Sequence, residues 1–152
     1  MTYKHSELLV YKGFLDHKSL LKLVDAIYKK GNRITVYTQD TSKIEGFDSL
    51  LWSYEQLSFI PHLTESDPNL DQTPIVIVSK PENHNNSNVL VLLDHTMPEF
   101  KCKFDKVVLM VDKSNDSDMQ KTNKIIEDFK SSGITITQYD QAQETGQWQK
   151  IA

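Results

Sequence analysis

Residues Ile75–Ser79 read IVIVS, Val89–Leu93 read VLVLL and Val107–Val111 read VVLMV. Each run is short, unbroken and rich in branched aliphatics, the pattern of strands covered on both faces. All three are expected at the centre of a sheet. Toward the N-terminus, Glu7–Lys12 (ELLVYK) and Arg33–Thr38 (RITVYT) read as two further strands with a helix between them. In that helix Leu20, Leu21, Val24, Ile27 and Tyr28 recur at helical spacing, Asp16 stands at the N-cap, and Gly31 follows Lys29 and Lys30 at the exit. Ser42 and Glu45 make a capping-box pair for a second helix with the stripe Ile44, Phe47, Leu51 and Tyr54, ending near Trp52–Tyr54. Toward the C-terminus a third helix is expected over Ser117–Lys130, with Met119, Ile125, Ile126 and Phe129 inward and Gly133 beyond its end. Ile134–Gln138 (ITITQ) alternates like a half-covered strand near an edge.

Strand–helix–strand order at the front implies a parallel pair joined by a right-handed crossover. In the middle, Lys80–Asn88 is too short for a crossover helix, so the IVIVS and VLVLL strands are expected to form an antiparallel hairpin. The fold class that follows is α/β: one domain over residues 1–152, with a mixed, mostly parallel sheet and helices on both faces.

Composition narrows the function. The chain has 152 residues, 38% hydrophobic and 25% charged, enough to build a core without disulfides or metals, and Cys102 is its single cysteine. No apolar run approaches the length of a membrane span and the N-terminus has no signal-peptide core, so a cytoplasmic protein with no membrane partner is expected. The formal net charge is −4 and Arg33 is the single arginine. Phosphate neutralisation needs a basic face and bidentate base readout is largely arginine work, so direct nucleic-acid binding is not expected.

Nucleotide binding would need GxGxxG or GxxxxGK[ST] after a strand; Gly13, Gly31, Gly46, Gly133 and Gly146 are isolated, and no cofactor is expected. The enzymatic alternative rests on Asp40, Asp94 and Asp112, each at or just after a strand. Converging at the carboxyl edge, they could hold Mg²⁺ for a phosphotransferase or nuclease; the plainer use of the same residues is as helix caps and turn openers. The histidines show no metal-ligand spacing, and His62 reads as a rim residue. Cys102 lies in a strand-like segment and is not expected to be catalytic. The stretch Glu55–Pro74, holding Pro61, Pro68 and Pro74, shows no helical period yet carries Leu57, Phe59, Ile60 and Pro61 beside Trp52 and Tyr54. Leu57 and Ile60 fit a short strand or lid turned to the core as well as they fit an exposed patch, whereas Trp52 and Phe59 read as an exposed binding patch.

Gly31-Asn32-Arg33-Ile34-Thr35-Val36-Tyr37, then Leu50-Leu51-Trp52, then Ser58-Phe59-Ile60-Pro61-His62 resemble the chi subunit of bacterial DNA polymerase III. That family carries a G-[KNR]-R-hydrophobic strand, a helix ending in LW and a SF[VI]PH loop, and the similarity runs over most of the chain to a C-terminal tail with Trp148. The resemblance implies a Rossmann-like sheet without a nucleotide site and no catalytic activity of its own. It implies a place in the clamp-loader assembly, with the psi subunit on Trp52, Phe59 and Pro61 and the C-terminal tail of the single-stranded-DNA-binding protein on another surface. In the family the tail-binding helix presents basic residues one turn apart, followed by a tyrosine; those positions are Met119, Asn123 and Ile126 here. The receptor is then expected from Val111 and Ile126 as an apolar slot, with Lys121 and Lys124 as its positive rim.

Overall fold

The computed structural model describes residues 5–13, 17–53, 61–100, 102–142 and 147–151. In chain order it contains β1 (Glu7–Gly13), α1 (His17–Lys29), β2 (Ile34–Tyr37), α2 (Thr41–Ser53), β3 (His62–Thr64), a 3₁₀ turn (Leu70–Gln72), β4 (Ile75–Val78), β5 (Val89–Leu92), β6 (Lys106–Asp112), α3 (Asp116–Ser131), β7 (Thr135–Gln141) and β8 (Trp148–Lys150). Asp16, Tyr54, Leu57, Phe59 and Ile60 lie outside the described residues.

The strands form one sheet in the order β3-β4-β2-β5-β6-β1-β7-β8. Every neighbouring pair is parallel except β7 with β8, so the sheet is mixed and mostly parallel. The connections β1–α1–β2 and β2–α2–β3 step toward one edge, and α1 and α2 cover one face through Leu21, Val24, Ile44, Phe47 and Leu51. From β3 onward the chain steps back across the sheet, and Leu70, Phe100, Phe104 and α3 join the apolar layer on the opposite face. Crossovers of one hand require this change of face when the direction reverses.

The expected hairpin between β4 and β5 does not exist: β2 lies between them, and both run parallel to it. Four-residue strands span only about 13 Å, and a short extended segment at about 3.3 Å per residue covers that distance without a helix. Residues 79–88 make this return over β2, on the face where Thr35 points. Apolar packing alone would leave the segment's polar groups unpaired there, and Asn85, 1% exposed, resolves this. Its Nδ2 donates to Thr73 O at 3.0 Å and Ile34 O at 3.4 Å. Its Oδ1 accepts from Ser87 Oγ and lies 3.4 Å from Thr35 Oγ1. Asn86 then turns the chain at φ 55, a left-handed conformation that asparagine tolerates.

Three helix details differ from expectation. α2 begins at Thr41, so Ser42 is in the first turn and not at the cap; the cap is Asp40, in line with the plainer reading of that aspartate, and its Oδ1 accepts from Ser42 N at 3.0 Å and Ser42 Oγ at 2.6 Å. α3 is capped by Asn115 Oδ1, which accepts from Asp118 N at 3.1 Å. Met119 is partly exposed, and Thr122 takes the buried place beside Ile125, Ile126 and Phe129. β7 has an unexpected neighbour in β8, which closes that end of the sheet.

Candidate functional site

At the β3 edge, the last turn of α2 presents Trp52, whose side chain is 60% exposed, over the first residue of the strand, His62. The two rings lie 4.8 Å apart, and His62 Nε2 is 3.1 Å from Asp48 Oδ1 one turn back on α2. This histidine is buried under the tryptophan, not at a rim as its sequence position suggested. Pro61, His62 and Trp52 form one wall of a cleft of about 340 Å³ whose other wall is the turn Asn69–Pro74. An exposed indole seated on a rigid base loses little freedom on binding, which is why tryptophan is enriched at interface hot spots.

On the opposite face, the middle of α3 and the segment after β5 enclose a second cleft of about 430 Å³. Lys121, Lys124, Ile125 and Asp128 line one side, and His95, Thr96 and Met97 the other. His95 fixes this geometry: Nε2 lies 3.1 Å from Met110 O and Nδ1 3.3 Å from Asp118 Oδ1. The two lysines are exposed, but Val111 is fully buried and Ile126 is 5% exposed in the core. The expected apolar slot of Val111 and Ile126 is therefore corrected: a strand-end residue and a stripe residue of α3 both face inward, and the apolar floor beside the lysines is Ile125 with Met97.

Because β2, β5 and β6 are parallel, Asp40, Asp94 and Asp112 do reach the carboxyl edge, yet each is engaged in loop hydrogen bonds: Asp40 and Asp112 within their own loops, and Asp94 across to the loop after β2. Asp94 Oδ2 accepts from Thr38 Oγ1 at 2.8 Å and Gln39 N at 2.9 Å. Burial, and then Asp94, raise the pKa of the neighbouring Tyr37. Asp112 Oδ1 accepts from Ser114 N at 2.9 Å and Ser114 Oγ at 2.7 Å. Hydrogen bonds from Ser42 and Ser114 hold the Asp40 and Asp112 carboxyls below the usual range, Asp40 as the cap of α2 and Asp112 as the opener of the turn before α3. Among the described residues no group of three His, Cys, Asp or Glu side chains could hold a metal ion. The same edge has an apolar cavity of about 370 Å³ lined by Leu20, Phe47, Leu50, Leu93 and Met110, with Lys43 and His95 beside them. At the end of β1, where a dinucleotide fold brings its glycines to a phosphate, the space beside Gly13 is taken by Trp148 and Gln141.

The family model described as "DNA polymerase III chi subunit, HolC" matches residues 15–137. The chain belongs to the DNA polymerase III chi subunit family. A relative named "Probable DNA polymerase III subunit chi" from Rickettsia prowazekii (strain Madrid E) is 27% identical over 141 residues, covering 88% of this chain and 75% of the relative. Members of the chi family are accessory subunits of a DNA polymerase, which places the chain in DNA replication. No helix among the described residues is long and apolar enough to cross a membrane. The family's LW…PH residues come together as Trp52, Pro61 and His62 on one edge, while Phe59 lies outside the described residues. Sequence reasoning missed Asp48 and the turn Asn69–Pro74, because both join the site only when β3 pairs with β4.

Proposed function

We propose that the chain is a non-catalytic bridge in the cytoplasmic clamp-loader assembly. Trp52, Phe59 and Pro61 receive the psi subunit, and the cleft at Lys121 and Lys124 receives the C-terminal tail of the single-stranded-DNA-binding protein. DNA is reached through these partners, in keeping with a net charge of −4 and a single arginine. The observation that carries the reading is Trp52, a large apolar side chain 60% exposed yet seated on a buried histidine, at the positions where the chi family motif falls. The second surface is supported by its composition: Ile125 and Met97 suit the apolar end of a tail, and the lysines suit its acidic residues.

Titration calorimetry with purified psi tests the first surface. Burying an aromatic is worth roughly 1.5–3 kcal/mol, so Trp52→Ala should weaken binding about ten-fold or more with the melting temperature retained. Unchanged affinity would overturn the assignment. For the tail, exposed ion pairs contribute about 0.2–1 kcal/mol each, so Lys121→Ala with Lys124→Ala should weaken an acidic tail peptide a few-fold and flatten its salt response.

A further inference from the structure

If the Trp52 edge is the psi surface, a reading on which this inference rests, its geometry also defines how the partner is engaged. An unpaired edge strand ordinarily invites another strand. In β3, Leu63 pairs inward with β4, as the following Glu65 N–H to Ile77 O at 3.0 Å confirms, so Thr64 turns its backbone outward. Both outward groups of Thr64 are already occupied by Asp67: Thr64 N donates to Asp67 Oδ2 at 2.9 Å, and Thr64 O accepts from Asp67 N at 3.0 Å. The edge of a three-residue strand is thereby closed over one of its two outward-facing residues.

Beside this edge lies the cleft between Trp52 and the turn Asn69–Pro74, at about 340 Å³. An apolar cavity of about 150 Å³ already admits a benzene ring, so a large side chain fits. Among the described residues its lining has no Lys, Arg, Asp or Glu: Trp52, Pro61, Leu63 and Pro74 are apolar, Asn69, Gln72 and Thr73 are neutral, and His62 is buried beneath Trp52 against Asp48. The far wall is held in shape from behind by Arg33, whose Nη2 donates to Asp71 O and Thr73 O at 3.1 Å each and whose Nε donates to Asn85 O at 2.7 Å. Asn85 Nδ2 also reaches Thr73 O at 3.0 Å. The arginine of the G-N-R motif thus has a local use: it braces a turn that faces the tryptophan. We propose that the partner inserts an uncharged, apolar side chain into the slot between Trp52 and the Arg33-braced turn, and does not add a strand to β3.

The test measures binding of the full chain to purified psi. Gln72→Trp, an exposed position on the far wall, fills the slot and should reduce affinity at least about ten-fold, with the melting curve unchanged; Asn69→Trp repeats the test from the neighbouring position if Gln72→Trp does not fold. Asp67→Ala, which frees the edge groups of Thr64, should leave affinity within about two-fold. Wild-type affinity should vary less than about three-fold between roughly 0.05 and 0.5 M salt, because among the described residues no Lys, Arg, Asp or Glu lines the slot. Wild-type binding by a folded slot-filling variant, tighter binding by Asp67→Ala, or a steep salt dependence would each overturn slot insertion. Unchanged binding by Trp52→Ala would instead overturn the psi assignment itself.

Discussion

Replacing Asn85 by Asp exchanges an NH₂ for an oxygen in a side chain 1% exposed. The new oxygen would face Thr73 O at 3.0 Å and Ile34 O at 3.4 Å, two acceptors that Asn85 Nδ2 now serves. The folded state can accept this only with the acid protonated. In the unfolded chain the group ionises near about 3.9, so keeping the proton near pH 7 costs up to about 4 kcal/mol at roughly 1.36 kcal/mol per pH unit. A protonated carboxyl has one donor where the amide has two, which removes about 1 kcal/mol more at every pH. The folded-state pKa of the new acid is raised, so the variant loses stability as pH climbs above about 3.9 and recovers it on acidification. Asn85→Asp should be about 4–5 kcal/mol less stable than the wild type near pH 7, and the gap should shrink to about 1–2 kcal/mol near pH 4. Urea unfolding of both proteins near pH 7, 5.5 and 4.5 measures it. A loss below about 1 kcal/mol that does not change with pH would refute the buried return of residues 79–88 over β2.

A Cβ added at Gly13 would lie 2.6 Å from the Trp148 ring and 2.5 Å from Gln141 Oε1. Gly13→Ala should therefore cost about 1–3 kcal/mol by overpacking and shift tryptophan emission as Trp148 moves; unchanged emission and stability would count against this packing. His5 Nδ1 accepts from Phe104 N at 3.1 Å, and burial lowers its pKa. The unfolded chain then binds more protons below about 6.5, so stability falls as pH drops through that range, and His5→Gln should flatten the decline in acid-side melting curves. The Tyr11 hydroxyl is pushed up to about 12, first by burial and then by Tyr139 and Glu7. Tyr11→Phe should remove the latest component of the phenolate absorbance titration; its persistence would reassign that component.

The continuous apolar runs marked β4, β5 and β6 as strands covered on both faces, and β5 and β6 do lie at the sheet centre, while β4 stands one place in from the β3 edge. The stripes of α1 and α2 and the exits at Gly31 and Gly133, with φ 89 and 76, were equally legible. The path from β4 to β5 was not. A crossover without a helix is possible because these strands are short, and its anchor is a set of side-chain hydrogen bonds at Asn85 that has no apolar period. β8 was invisible because three residues carry no alternation, and pairing with β7 defines the strand. At the site, the exposure of Trp52 could be read from its place at a helix end. Val111 and Ile126 were placed at the slot as a strand-end residue and a family-aligned position of α3, yet β6 is covered on both faces to its last aliphatic residue and Ile126 belongs to the inward stripe of α3, so neither reaches the surface. Which residues share a surface was decided by the parallel pairing of β3 with β4 and by the segment after β5.

The two proposed surfaces share no residue and lie on different parts of the sheet, one at the β3 edge and one on the face covered by α3. A bridge requires that they work at once and independently. The decisive measurement is sedimentation velocity of the chain with psi and a fluorescent peptide of the single-stranded-DNA-binding protein's C-terminal tail, alone and together. The account predicts a ternary complex in which peptide affinity is the same with and without psi, Trp52→Ala removes only psi, and Lys121→Ala with Lys124→Ala weakens only the peptide. Displacement of the peptide by psi, or loss of both partners from the Trp52→Ala protein while it remains folded, would contradict a bridge built on two separate surfaces.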